Sequence, residues 1–439
     1  MGASRLKARR RYANDSGDSP HPADAPAVGH SFAAVDASSL AGRVHRPCIR
    51  MTAASPPAAS SRVVLPSMRV LLVDDDASVR ARLQDFLASI EGGGVSCRDV
   101  AGAEDAFSLL ETTAFDVVVM RADLPGMSGL QATRRIMASR PVPIVVTIAP
   151  DSSSLDLAFE SLRSGALALV PRIGGESVGG SGLEGSSGVE EAVAWELLGA
   201  ALALACKASR GSGDVSRSDV RGAADGSKLN AVRRTDSAPA KVMALLAGGG
   251  ALGSALRMLE SAGDARPPTL FLTSVAAPFL DDFVVWLNGV APGGAVRGRA
   301  GPIATGPVQV VVASDGFRVS DSGALVPMPV LSGALGTSAP SLHGASFDML
   351  LSSMAEALRS DAMAVLLGQV EDDGALGLFA IRHAGGQAYE ESPARNRFTS
   401  GIAVRMAAAE GVGSAEALGE LASAAARVLV CEIGDDHEA

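Results

Sequence analysis

The sequence predicts an α/β protein made of two doubly wound parallel-sheet domains. Short β-branched runs alternate with longer stretches of helical period, and they do so twice along the chain. Within the runs the apolar residues are continuous rather than alternating, as in strands covered on both faces. A polar, Gly/Ser-rich stretch separates the two series, so the spacing predicts a flexible linker over residues 209–240. With 439 residues, 47% apolar and 20% charged, the chain can bury more than one core.

Residues 1–67 are rich in Pro, Ala, Ser, Gly and Arg without a sustained period, and are expected to form a disordered tail. Met68 stands immediately before the first clear strand and would serve as a start as well as Met1 does. The first domain is expected over residues 68–208. Its strands are "RVLLV" before three acids, "VVVM" (Val117–Met120), "PIVVTI" (Pro143–Ile148) and "ALALV" (Ala166–Val170). Val79, Leu83, Phe86, Leu87 and Ile90 recur at helical spacing after the first strand, and Val189–Ala208 reads as the closing helix. The second domain is expected over residues 241–434. Its strands are "VMALL", "TLFLT", "VQVVV" and "AVLL" (Ala364–Leu367), and its helices include "FDMLLSSMAEALR" and "SAEALGELASAAARVLV".

The formal charge of −10 argues against nucleic acid as a partner, because no basic face would attract phosphates. Cys48, Cys97, Cys206 and Cys431 lie far apart with no CxxC pair, so neither a zinc site nor a disulfide framework is expected. A reducing cytoplasm fits that usage. No membrane insertion is expected, since the apolar stretch Leu197–Cys206 falls well short of the ~20 residues of a span. The amino-terminal "MGASRLKARRRY" has no apolar segment behind it, so no targeting peptide is expected.

Ligands of open parallel sheets bind outside the carboxyl ends of the strands. In the first domain that edge holds Asp74, Asp75 and Asp76 after the first strand and Arg121 at the end of "VVVM". Adjacent carboxylates repel one another and call for a cation, while Asp76 is placed to cap the helix that follows. In the second domain, "LLAGGGALGSAL" (Leu245–Leu256) contains G-x-G-x-x-G at Gly248, Gly250 and Gly253. The strand after it ends in Ser274 and Val275, not in the acid that would bind a ribose, so a nucleotide-binding module is only an alternative reading.

The segments "VLLVDDDASVRARL", "FDVVVMRADLPGMSGLQATRRI", "RPVPIVVTIAPD" and "SGALALVPRI" resemble, in order and spacing, the flavodoxin-like receiver domain of response regulators. The resemblance implies that an acid pair at Asp74 and Asp75 holds Mg²⁺. It also places the phospho-accepting aspartate at Arg121, the hydroxyl at Ile148 and the lysine at Arg172. Thr147 stands one residue early and, by strand alternation, on the other face. Guanidinium cannot accept a phosphoryl group as a carboxylate does, so phosphorylation is expected to be lost. Arg121 near Asp74 and Asp75 would instead take the place of the metal through an ion pair. Mg²⁺ would then bind only if Asp74 and Asp75 retained it, and no other cofactor is expected.

A receiver, a linker and a second α/β domain together resemble CheB, the chemotaxis protein-glutamate methylesterase. That family hydrolyses glutamyl methyl esters on chemoreceptors with a Ser-His-Asp triad. Here the serine position falls on Gly249 in "LLAGGGALGSAL" and the histidine position on Val275 in "TLFLTSVAAPF". The aspartate falls on Asp373 in "VLLGQVEDDGALGLFAIRHAGG", or on Asp372 if one residue is inserted; "HGASFDMLLSSMAEAL" resembles the stretch preceding that strand. A triad needs an oxygen nucleophile, a base and an acid to orient the base, and glycine and valine supply neither of the first two. Ser254 is expected to cap the next helix, His383 to lie late in a helix, and His343 to lie in a loop.

The expected protein is a CheB-like chemosensory regulator that binds a histidine kinase or the cytoplasmic helices of chemoreceptors without chemistry at either site. The alternative is an active protein-glutamate methylesterase served by a substitute residue.

Overall fold

The computed structural model describes residues 66–90, 94–149, 153–174, 187–214, 240–328, 346–368, 373–392 and 408–434. The expected tail, most of the expected linker, His343 and Asp372 lie outside these residues. The first domain is a five-stranded parallel sheet in the order β2-β1-β3-β4-β5. Its strands are β1 (Met68–Val73), β2 (Val95–Val100), β3 (Val117–Arg121), β4 (Ile144–Ile148) and β5 (Ala168–Pro171). Helices α1 (Ala77–Ser89), α2 (Ala103–Thr112), α3 (Gly129–Ser139), α4 (Leu155–Arg163) and α5 (Ser187–Asp214) cover it.

Side chains alternate between two apolar cores: Val118, Met120, Val146 and Ile148 on one face, Val117, Val119 and Val145 on the other. The local caps follow the sequence. The Asp76 carboxylate accepts from Ser78 N at the start of α1, and Ser128 with Gln131 forms a capping box on α3.

Two expectations are corrected in α5. The helix runs past Ala208 to Asp214, into the stretch expected as linker. Glu191–Arg210 is also long and apolar enough to cross a membrane by length and composition, contrary to the ten-residue limit read from the sequence. Half of it is buried inside the fold, where Trp195, Leu198, Leu202 and Ala205 belong to the core under β1, β3 and β5. A helix packed on the sheet and half buried explains its composition.

The second domain is a seven-stranded parallel sheet in the order β15-β14-β13-β6-β7-β10-β8. At its centre β6 (Val242–Ala247) lies between β7 (Thr269–Thr273) and β13 (Ala362–Leu367). Beyond these come β8 (Ala295–Arg297), β10 (Val308–Val311), β14 (Gln387–Glu391) and β15 (Gly411–Gly413). Around the sheet pack α6 (Leu252–Ala262), α7 (Leu280–Val290), α8 (Phe347–Leu358), α9 (Ala375–His383) and α10 (Ala415–Gly434). A small antiparallel sheet, β11 (Phe317–Val319), β12 (Ala324–Pro327) and β9 (Gly301–Pro302), was not foreseen.

The strand order reverses between β6 and β13, with β7, β10 and β8 to one side and β14 and β15 to the other. In open sheets a crevice forms where the strand order reverses.

Candidate functional site

At the carboxyl edge of the first sheet, two arginines hold the acids. Arg172, just past β5, donates from Nε to Asp74 Oδ2 at 3.1 Å and from Nη2 to Asp74 Oδ1 at 2.8 Å. The Asp74 side chain is 3% exposed and Arg172 is 11% exposed, so this forked pair is nearly closed to water. Arg121, the last residue of β3, donates from Nη1 to Asp75 Oδ1 at 2.5 Å. It also forks onto Asp123, Nε to Oδ1 at 2.6 Å and Nη2 to Oδ2 at 3.0 Å. These hydrogen bonds pull the Asp123 carboxyl below its usual range and raise the Arg121 guanidinium further above its own.

The expected pairing of Arg121 with both Asp74 and Asp75 is therefore corrected. Arg121 takes Asp75 and Asp123, and Asp74 goes to Arg172. Sequence reasoning missed Asp123, although a short acid two residues past a strand-end arginine is within easy reach of it. Ile148 is fully buried in one apolar core, and by alternation Thr147 faces the other side of the sheet.

At the carboxyl edge of the second sheet, Leu367, Ala247 and Thr273 stand side by side in register on β13, β6 and β7. Gly249 and Val275 follow two of these strand ends and line one pocket, whereas Asp373 lies against the start of α8 and is not among the residues that line it. Gly250, at φ 78°, makes the turn between β6 and α6 in a left-handed conformation suited to glycine. A Cβ on Gly249 would lie 2.9 Å from both the Leu167 carbonyl oxygen and the Leu167 Cδ1, and 3.3 Å from Leu204 Cδ2. A Cβ on Gly253 would lie within van der Waals radii of the Arg163 carbonyl oxygen. All of these neighbours belong to the first domain. Between the domains is a cleft of about 130 Å³ lined by Leu162, Leu167, Leu204, Gly249, Val275 and their neighbours.

Residues 70–172 match the response regulator receiver domain, and residues 246–424 match the CheB methylesterase family. The chain joins a receiver domain to a CheB methylesterase domain. It is 30% identical over 227 residues to protein-glutamate methylesterase/protein-glutamine glutaminase 2 of Paramagnetospirillum magneticum, covering 51% of this chain and 61% of that protein. That match spans less than two thirds of the relative's length. Protein-glutamate methylesterase/protein-glutamine glutaminase 1 of Caulobacter vibrioides is 26% identical over 377 residues, 81% of this chain and 98% of that one. The crystal structure of the Thermotoga maritima CheB methylesterase catalytic domain aligns with 43% of this chain and 98% of its own, at 17% identity and a TM-score of 0.33.

In the receiver domain the donor set does not fit a Mg²⁺ ion. Both oxygens of Asp74 face a guanidinium, Asp75 is engaged by a second, and the two positive charges would repel a divalent cation. At the edge of the methylesterase domain Gly249 carries no side chain, Val275 is apolar and Asp373 is an acid. Asp373 turns both carboxylate oxygens to helix α8, accepting from Phe347 N at 3.0 Å and Asp348 N at 2.9 Å. Asp348 answers from the other side, its Oδ1 accepting from Gly374 N at 2.9 Å and Gly377 N at 2.7 Å. Asp373 and Asp348 thus cap each other's helices. Burial, reinforced by the neighbouring Asp373 charge, holds the Asp348 carboxyl above its usual range.

The substitute residues are placed elsewhere. Ser254 does not cap α6, as expected from sequence; it lies inside the first turn, and its hydroxyl accepts from Arg257 Nη2 at 2.9 Å. Ala251 occupies the cap position without a side-chain bond. His383 ends α9 as expected, its ring against Phe379 with centroids 3.9 Å apart and Nδ1 3.2 Å from the Phe379 carbonyl oxygen. The G-x-G-x-x-G pattern has a structural explanation in the turn at Gly250 and the close approach of the receiver at Gly249 and Gly253.

Proposed function

We propose that this chain is a CheB-like chemosensory regulator that acts by binding, without accepting a phosphoryl group and without hydrolysing esters. The observation that carries the reading is Gly249. A nucleophile at that position needs a side-chain oxygen and space for an ester, whereas here a backbone carbonyl of the receiver stands within contact distance of where even a Cβ would be. Val275 brings no base, and Asp373 is engaged by backbone amides. On the receiver side, the resemblance puts the accepting carboxylate at Arg121, a cation that is paired with Asp75 and Asp123. A histidine kinase or the cytoplasmic helices of chemoreceptors are the proposed partners, in the cytoplasm.

The test is methanol release from methylated chemoreceptor membranes by the purified full-length protein. The expected result is no release above buffer, together with retention of the protein on immobilised receptor or kinase. Release that scales with protein concentration would overturn the proposal. That outcome would favour the second reading, an active protein-glutamate methylesterase, which the names of the Paramagnetospirillum and Caulobacter relatives favour.

A further inference from the structure

We propose that the groove between α2 and α3 of the receiver domain is a binding site for a small organic monocarboxylate with a compact apolar body. Helices that connect parallel strands start at the carboxyl edge of the sheet and end at its amino edge. The groove lies between the ends of α2 and α3, on the edge opposite Arg121 and Arg172. Its cavity of about 520 Å³ has the size of a small-molecule site. Phe107, Leu110 and Ile136 form the wall and belong to the buried core, so packing fixes their positions. Arg140 holds the two helix ends together. Its Nη1 donates to the Leu110 carbonyl at 2.8 Å and to the Glu111 carbonyl at 3.0 Å, two groups that the end of α2 leaves without intrahelical partners.

Arg135 gives the groove its charge. Its guanidinium carbon stands 4.2 Å from the centre of the Phe107 ring, a cation–π stack that restricts the side chain. Among the described residues this guanidinium has no ion pair and no hydrogen bond, whereas its neighbour Arg134 pairs with Glu160 at 3.4 Å. A guanidinium fixed on an aromatic face, with no carboxylate of its own, is prepared to take one through two parallel N–H···O bonds. Arg140 brings a second positive charge to the same groove. Glu111 also lines it and has no cation paired with it among the described residues. That charge penalises phosphate and dicarboxylates, which carry more than one negative charge, and tolerates a ligand with one. The apolar wall asks for a hydrocarbon body, aryl or branched alkyl, beside the carboxylate. The groove is remote from both edges where chemistry is proposed to be lost, so its occupation and that loss stand or fall separately.

The test is titration of the full-length protein with phenylacetate, followed in nitrogen–proton correlation spectra. Saturable shifts should centre on the amides of Phe107–Glu111 and Arg135–Arg140, with a Kd of about 1 mM or tighter. Phenylacetamide, of the same shape without the charge, should bind about tenfold more weakly or worse. Inorganic phosphate should give no saturable shifts at these helix ends. Arg135→Gln should weaken phenylacetate binding about tenfold or more, and Glu111→Gln should bind it at least as tightly as wild type does. If Arg135→Gln does not fold, Arg135→Lys, which keeps the charge without the fork, should weaken binding instead. The absence of saturable shifts at about 10 mM phenylacetate overturns the proposal. So does equal binding of phenylacetamide, or undiminished binding in a folded Arg135 variant. Saturable phosphate shifts in the groove would overturn the monocarboxylate class.

Discussion

Arg172 and Asp74, 98 positions apart in the chain, form a forked ion pair at 2.8 and 3.1 Å that closes the carboxyl edge of the receiver sheet. Removing Arg172 leaves the Asp74 charge buried without its cation, at a cost of about 3–5 kcal/mol, whereas removing Asp74 leaves Arg172 with Asp76 at 3.7 Å and should cost less. Asp74→Ala and Arg172→Ala should each lower the denaturant midpoint accordingly. The double variant should lose much less than the sum, because no charge is then stranded. Additive losses would show that the two side chains do not act as a pair.

The same geometry predicts that the receiver is silent to metal and phosphoryl analogues. Mg²⁺ with beryllium trifluoride should produce no amide shifts in a nitrogen–proton correlation spectrum at millimolar concentrations. A saturable set of shifts around Asp74 and Asp75 would contradict the two-arginine arrangement.

Asp123 sets an acid limit. Its folded-state carboxyl is held low by Arg121, so the bridge contributes stability above the unfolded-state value of about 3.9 and loses it as the pH falls through the lower, folded-state value. Wild type should therefore lose stability more steeply than Asp123→Asn in acid melts below about pH 4, and the two should run parallel near neutrality. Identical slopes through the acid range would remove the bridge from the account.

Asp373 is a helix cap, so its loss should appear in stability. Asp373→Ala leaves the Phe347 and Asp348 amides without their acceptor and should cost about 1–2 kcal/mol, read as a drop in melting temperature.

Asp348 behaves differently. Its carboxyl is held above the ordinary range by burial, so the folded state favours the protonated form and stability falls as the pH rises through the folded-state value. Asp348→Asn keeps an oxygen for Gly374 N and Gly377 N while removing that charge. It should melt at or above the wild-type temperature at pH 7, whereas Asp348→Ala should melt below it. A clear loss in the asparagine variant would mean that the charge itself is needed.

Strand edges and helix faces were legible wherever apolar periodicity was strong. Continuous runs such as those of β3, β4, β6 and β7 can only be buried on both faces, and they stand where the sequence puts them. Strands with polar sequences were not legible. In β2, "VSCRDV" is half exposed, while in β14, "QAYEE" is buried throughout. The burial of Glu390 and Glu391 depends on neighbours that no local pattern reveals.

The proposed loss of chemistry was likewise legible in the sequence, because whether a position can accept phosphate or attack an ester depends on the atoms of its own side chain. Arg121, Ile148, Gly249 and Val275 lack those atoms in any fold. The partners of the side chains at these two edges were decided by tertiary structure alone. Arg121 reaches Asp123, Arg172 crosses to Asp74, Asp373 turns to the amides of α8, and Gly249 lies under Leu167. Each of these is a choice among partners that sequence leaves equally available, and it is settled by which groups packing brings within 3 Å of one another.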